Sequence, residues 1–265
     1  MNKIIAKFIG RKIPYFIGKD KIIRALYSPN RNLNSGEKFV TDYFNKRYEG
    51  ITSNYIDWGV YFKGGLEKGL VNYIRTEISQ FRYFLDIGSN SGTISLPFCK
   101  ERDLKIICFE PLEYSYEKLL KNYRINNAFE NHIFHKIALS NETKKSYLNF
   151  SNIHSNIGTA SLNPKHFNFY NDKKEVCVER LDNLYNFKNQ SLFIKIDVEG
   201  HEDKVIEGAN SLIKNNKILM YLETTNTNLL NKLKKEFNIF FPRFIEGNYE
   251  FLSKQYLHNV ILKNY

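Results

Sequence analysis

Two regimes of apolar and polar patterning divide this chain near residue 80. From Arg82 onward, short apolar runs alternate with segments of helical period. Strands are expected at 82–87, 105–110, 132–139, 191–198 and 217–224, and helices near 92–99, 113–126, 202–214 and 228–237. A polar turn over 140–145 precedes a returning strand near 146–150. A further strand, Val176 to Leu181, follows a long loop. Beyond Phe237, short aromatic segments at 239–241, 249–252 and 259–263 read as closing antiparallel strands. The alternation argues an α/β fold with a doubly wound, mostly parallel sheet.

The first 78 residues follow another pattern and form a helical and aromatic extension. Lys19 to Tyr27 has the spacing of a short amphipathic helix, and 28–36 is loop chemistry. A helical pattern runs through Phe39, Val40, Tyr43 and Phe44. Asn54 to Gly65 is aromatic and glycine-rich, a turn ahead of a helix over 66–78. Asp57, Trp58 and Lys63 in that turn are candidates for gripping a sugar or phosphate, with a packed turn around a core Trp58 as the alternative.

The densest chemistry lies at Asp86-Ile87-Gly88-Ser89-Asn90-Ser91-Gly92, where an apolar strand ends in an acid and a loop of small residues. Small side chains let a ligand approach the main chain. A dinucleotide site needs three glycines against a pyrophosphate; here Asn90 stands where the second would be, and Asp86 would repel phosphate. A carboxylate there suits an ammonium group, and S-adenosylmethionine offers one without a phosphate. Glu110 ends the next strand, where a carboxylate can accept both ribose hydroxyls, and Pro111 terminates it. Phe109 and Ala138 end strands two and three, in position to flank an adenine. The cofactor set is therefore Asp86, Gly88, Ser89, Asn90, Gly92, Glu110, Pro111, Ala138 and Asp197, in a Rossmann-like class I methyltransferase domain spanning 79–265. Residues 1–78 are expected to contribute to the acceptor site.

A second cluster, Phe193 to Glu202, crowds Asp197, Glu199, His201 and Glu202 beside that loop. It reads as a general base near an acceptor hydroxyl, as helix capping with an internal pair to Lys195, or as a metal site of oxygen and imidazole ligands. No metal is included in the expected site. The catalytic candidates are His201, Asp197, Glu199 and Glu223, with His201 oriented by Asp197 or Glu199. The segment from Asn152 to Asn163, with His154, Asn156, Gly158 and Ser161, is a candidate lid, and His154 a candidate acceptor contact.

Together, Asp86 to Gly92, Phe109-Glu110-Pro111 and Ile194 to Glu202 resemble the FkbM family of S-adenosylmethionine-dependent O-methyltransferases. Arg180-Leu181-Asp182 and Ile56-Asp57 with Glu67 resemble further segments of that family; Ser89 departs from its usual alanine. The resemblance covers about 54–224. It implies methylation of a hydroxyl on a natural product, sugar or glycan precursor. A nucleotide-linked or phosphorylated sugar bound for a surface polysaccharide is the favoured acceptor.

Composition adjusts this picture in three places. The net charge of +11 suits an anionic partner: substrate phosphates, an acidic membrane surface or nucleic acid. An RNA methyltransferase is the main rival, but no RNA-binding appendage is recognisable, so no nucleic-acid partner is expected. A non-enzymatic scaffold meeting a glycan-assembly partner or a membrane through the basic N-terminus is the second. Cys99, Cys108 and Cys177 are too far apart for a disulfide framework or zinc spacing and are expected to be buried, reduced thiols. No run approaches a membrane span and the charged N-terminus does not form a signal core, which points to the cytoplasm.

Overall fold

In the computed structural model, which describes residues 2–29, 36–151, 157–166, 170–245, 248–252 and 259–265, the N-terminal region holds α1 (Asn2–Lys12) and α2 (Lys19–Leu26). These are followed by β1 (Lys38–Tyr43), β2 (Lys46–Ile51), α3 (Tyr55–Lys63) and α4 (Lys68–Glu77). The helix expected through Phe39 and Tyr43 is instead a hairpin. Phe44 and Asn45 both take left-handed φ (51° and 62°), the two-residue turn that matches strand twist, and β1 alternates outward and inward side chains. The turn expected over 54–65 is a helix. Asn54 Oδ1 accepts from the N–H groups of Ile56 and Asp57 and caps α3.

The sheet domain runs β3 (Tyr83–Ile87), β4 (Lys105–Phe109), α5 (Glu113–Arg124), β5 (Ile133–His135), β6 (Ala138–Leu139), β7 (Lys144–Phe150) and β8 (Asp172–Glu179). It continues through α6 (Leu181–Leu184), β9 (Ser191–Ile196), α7 (Glu202–Gly208), α8 (Asn210–Lys214), β10 (Lys217–Glu223) and α9 (Thr227–Leu233), and ends with β11 (Asn238–Ile245), β12 (Asn248–Leu252) and β13 (Asn259–Lys263). The main sheet has the order β12-β11-β13-β10-β9-β3-β4-β5, parallel from β10 to β5 and closed by antiparallel β13 and β12. This is the doubly wound α/β sheet the pattern implied.

Both faces are covered, which is why the parallel strands are mostly apolar, with buried Asp86 on β3 and Lys195 on β9 interrupting the run. Phe84, Ile106, Phe193 and Tyr221 meet α4 and α5 on one face; Leu85, Ile107, Ile194 and Met220 meet α7, α8 and α9 on the other. The strand expected over 132–139 divides: β5 joins the main sheet, and β6 turns away into a small sheet ordered β6-β8-β7. The helix expected near 92–99 is a set of turns with one 3₁₀ turn, Leu96–Phe98. Pro97 cannot donate into an α-helix, and its ring clashes with a preceding carbonyl.

Two cysteines are buried as expected, but Cys177 is exposed. On β8 the alternation that turns Val176 and Val178 inward turns Cys177 out. Among the described residues no helix is long and apolar enough to cross a membrane.

Candidate active site

Chain order reverses around β3, whose neighbours are β4 on one side and β9 on the other; ligands of such sheets bind beyond the strands' carboxyl ends there. The register aligns Ile87 with both Phe109 and Ile196, so Gly88, Glu110 and Asp197 emerge together at one edge. The N–H groups of Gly88 and Ser89 donate to Phe109 O at 3.0 and 3.1 Å. Gly88 has φ +73°, and a Cβ there would stand 1.9 Å from Asp197 O. Only glycine allows the loops after β3 and β9 to touch.

Glu110 is clamped by main chain. Asn90, at φ 47°, donates its N–H to Oε2 at 2.9 Å, and Leu112 N–H donates to Oε1 at 2.8 Å. Burial nevertheless pushes this carboxyl up to about 7, against the two N–H bonds. Each oxygen retains a lone pair for a further donor. A cavity of about 400 Å³ opens here, with Ser89, Asn90 and Glu110 beside an apolar wall of Phe109, Pro111, Ile137, Ala138 and Leu139. A small-residue cradle, a fixed carboxylate and an apolar slot fit the adenosine part of the methyl donor.

Beneath the loop lies Asp86, fully buried, with neither carboxylate oxygen hydrogen-bonded. It does not line the cavity, so the direct ammonium contact expected of it is not what the fold provides. Its nearest cation is Lys195 Nζ at 3.6 Å. Lys195, itself buried, also lies 3.3 Å from Asp197 and donates to Gly88 O at 2.7 Å. Burial pulls its ammonium down, but Asp197, Asp86 and Glu67 together raise it above the ordinary lysine value. One lysine thus ties β3, its loop and the end of β9.

The other end of the cavity is acidic. Glu67, Asp197, Glu199 and Glu223 line it together with His201. Desolvation, followed by neighbouring acids with Asp197 foremost, pushes Glu67 up to about 7, Glu199 to about 8 and Glu223 to about 9. These carboxyls and Glu110 bind protons more tightly folded than unfolded, where 4.5 is ordinary. Their contribution to stability is therefore complete below 4.5 and lost as pH rises through 7 to 9. The ligand-free protein is expected to melt higher at about pH 5.5 than at about pH 9. A melting temperature that rises over that interval would contradict the assignment.

His201 does not pair with Asp197 or Glu199, contrary to the expectation from their crowding. Its Nε2 shares a 2.9 Å hydrogen bond with Ser140 Oγ, and burial lowers it below the ordinary histidine range. Glu199 pairs with His166, Nε2 to Oε2 at 3.1 Å. Glu199 has φ 56° and the next residue, Gly200, φ +86°; a Cβ on Gly200 would meet His166 Nδ1 at 2.5 Å. The turn after β9 is strained so that this histidine can approach. Ser161 Oγ donates to Glu199 O, which brings the 157–166 segment onto the cavity, where Gly158, Thr159, Ala160 and Leu162 form part of the wall.

Three acceptor candidates lie elsewhere. Trp58 is fully buried among Ala6, Ile23 and Phe62, and its Nε1–H donates to Tyr27 O at 2.7 Å. Asp57 is fully buried, accepting from Tyr48 OH, Ile51 N–H and Lys118 Nζ. Lys63 pairs with Asp20 at 2.9 Å. Helical rotation explains this: Tyr55 and Ile56 of α3 face the cavity, and the next two residues turn inward. Gly92 (φ +82°) is covered by Leu119 and does not line the cavity, so it shapes the loop without touching a ligand. His154 and Asn156 lie outside the described residues. Glu67, Ser140 and His166 join the site without having been expected in it. Glu67, just past the Gly64-Gly65 pair, has a local signal; His166 has none, because its partners are distant in sequence.

A family model described as the methyltransferase FkbM domain matches residues 86–245, more than half of the chain. No curated protein matches. Among solved structures, the chain is similar to the O-methyltransferase TomG from Streptomyces achromogenes, in complex with S-adenosylmethionine (9% identity, 74% of this chain and 79% of that one, TM-score 0.43). A SAM-dependent O-methyltransferase from Thermotoga maritima (10% identity, 86% and 77%, TM-score 0.41) is also similar. So is precorrin-6y C5,15-methyltransferase from Geobacter metallireducens GS-15 (10% identity, 74% and 87%, TM-score 0.40). The family match begins at Asp86 beneath the loop, takes in Glu110 and the 194–202 turn, and ends on β11; the chain belongs to the FkbM methyltransferase family, and its cofactor is S-adenosylmethionine.

Proposed function

We propose that this protein is an O-methyltransferase acting on a hydroxyl of a carbohydrate, with residues 1–78 supplying one wall of the acceptor site. The observation that carries this reading is His201: a histidine in the cavity, below its ordinary pKa and so uncharged at neutral pH, beside a methyl-donor cradle. An alcohol is a weak nucleophile, and a base that takes its proton as the new bond forms is what O-methylation asks of the protein.

The residues divide the work as follows. Gly88, Ser89, Asn90 and Glu110 hold the donor's nucleoside, Glu110 accepting from the ribose hydroxyls, with Pro111, Ala138 and Phe109 on its apolar side. The bound cofactor supplies an electrophilic methyl on a sulfonium. In the tautomer that serves as base through Nδ1, His201 Nε2–H donates to Ser140 Oγ at 2.9 Å, and the Ser140 hydroxyl donates to Asn141 Oδ1 at 3.3 Å. That leaves His201 Nδ1 to receive the acceptor's proton. Holding the hydroxyl in line with the methyl supplies much of the rate.

Glu67, Asp197, Glu199 and Glu223 offer carboxyl groups to a hydroxyl-rich ring, and this favours a sugar. They disfavour a phosphate inside the cavity, whose lysine is already committed to Asp86 and Asp197. In a nucleotide-linked or phosphorylated acceptor the phosphates would lie outside the mouth, towards the basic surface.

The test is incubation with isotopically labelled S-adenosylmethionine and a panel of free and nucleotide-linked sugars, with and without divalent metal, followed by mass spectrometry of the product. A methyl ether on a sugar hydroxyl is expected. Transfer to carbon or nitrogen, or labelling of RNA alone, would overturn the reading.

A further inference from the structure

Of the fourteen large hydrophobic side chains exposed among the described residues, eight lie between Ile4 and Ile22, so this surface differs from the rest. They belong to the hairpin of α1 and α2. Its inner side is closed, with Ala6 and Ile23 packed on Trp58 and Phe62. Its outer side presents Ile4 and Phe8, and the connection presents Tyr15, Phe16 and Ile17, the last 94% exposed.

Charge accompanies the apolar surface. Residues 2–29 contain seven Lys and Arg against one acid, Asp20, so about a tenth of the chain carries six of its eleven net positive charges. Lys3 pairs with Glu37, and Arg11 donates to Val60 O and Tyr61 O, so these serve the fold. Lys12 and Lys21 are exposed among the apolar side chains. A protein partner or a second copy would call for an apolar face or groove. Here the most exposed side chain stands at the tip of a turn, where it can enter a soft phase while flanking cations meet anionic headgroups.

We propose that the α1–α2 hairpin docks the protein on the surface of an anionic lipid bilayer, with Phe16 and Ile17 entering the acyl boundary and Lys12 and Lys21 at the headgroups. The hairpin is coupled to the cavity: Arg24 donates to the hydroxyl of Tyr55, a lining residue that stacks on Trp58. The hairpin thus meets the cavity lining through Tyr55.

The test is co-sedimentation of the full chain with vesicles of phosphatidylcholine alone or mixed in equal parts with phosphatidylglycerol. Association with the anionic vesicles is expected to be at least about tenfold stronger and to weaken with salt. Ile17→Asp, and separately the pair Lys12→Glu and Lys21→Glu, are expected to lower it by about tenfold, with melting temperature and S-adenosylmethionine affinity unchanged. Equal association with both vesicle types, no association with either, or an unaltered Ile17→Asp variant would overturn the proposal. So would a dimer in solution that Ile17→Asp converts to a monomer, which would assign the surface to a second copy.

Discussion

His201→Gln is expected to reduce kcat by about 10²–10⁴-fold with little change in the affinity for S-adenosylmethionine. Glutamine keeps a polar group near Ser140 but cannot take up a proton, so the loss should fall on the chemical step. The pH profile tests the assignment further. Burial lowers His201, so the basic form persists to below pH 6.5, and kcat should fall only as pH drops through that lowered value. The variant should lose this limb. A wild-type limb near 8 would instead identify Glu199, which burial, Asp197 and Glu202 push to about that value. Unchanged kcat in His201→Gln would remove the histidine from the mechanism.

Lys195→Met is expected to destabilise the protein by about 3–5 kcal/mol, a fall in melting temperature of roughly 6–20 °C for a domain of this size. The side chains are similar in length, so the effect comes from charge. Asp86 would be left fully buried with no cation, and Asp197 would lose its partner at 3.3 Å. Desolvation already raises Asp86 in the native protein, and without Lys195 it rises further. Protonation then relieves part of the strain at low pH, so the deficit against wild type should widen as pH increases. Adding Asp86→Asn should recover part of the loss. Cofactor affinity should fall as well, because Gly88 O loses the 2.7 Å bond that fixes the loop. A melting temperature within measurement error of wild type, at neutral pH and above, would show that the lysine does not compensate Asp86.

These two residues differ in how much of their role the amino-acid sequence reveals. Lys195 sits inside a buried strand two residues before Asp197, and a lysine there demands a partner; the internal pair is legible, although Asp86 as its second partner is not. His201 is legible as a histidine crowded by acids, but its orienting group is not one of them. Ser140 approaches from the loop after β6, on the far side of a loop closure that no local pattern encodes. The same holds for His166, which reaches Glu199 only because Gly200 has no side chain in the way.

The N-terminal region shows the other kind of miss. Asp57, Trp58 and Lys63 resemble acceptor contacts because aromatic and charged residues beside glycines are common at sugar sites. Capping by Asn54 starts a helix at Tyr55, and its rotation turns Asp57 and Trp58 away from the cavity that Tyr55 and Ile56 line. A hairpin likewise replaces the helix expected at 39–44, because two left-handed residues at 44 and 45 reverse the chain.

By itself, the order of residues determined the doubly wound sheet, the loop after β3 and the presence of Gly88, Glu110 and Asp197 at strand ends. Strand period, strand length and turn chemistry are local, and parallel register carries strand ends to one edge. Only the tertiary structure decided that Asp86 lies beneath the loop, that Ser140 holds His201 and His166 holds Glu199, and that Trp58 is core. Those relations depend on which helix face turns inward and which distant loops close on one another. Burial and close packing across the whole chain settle such questions, and short-range pattern does not contain them.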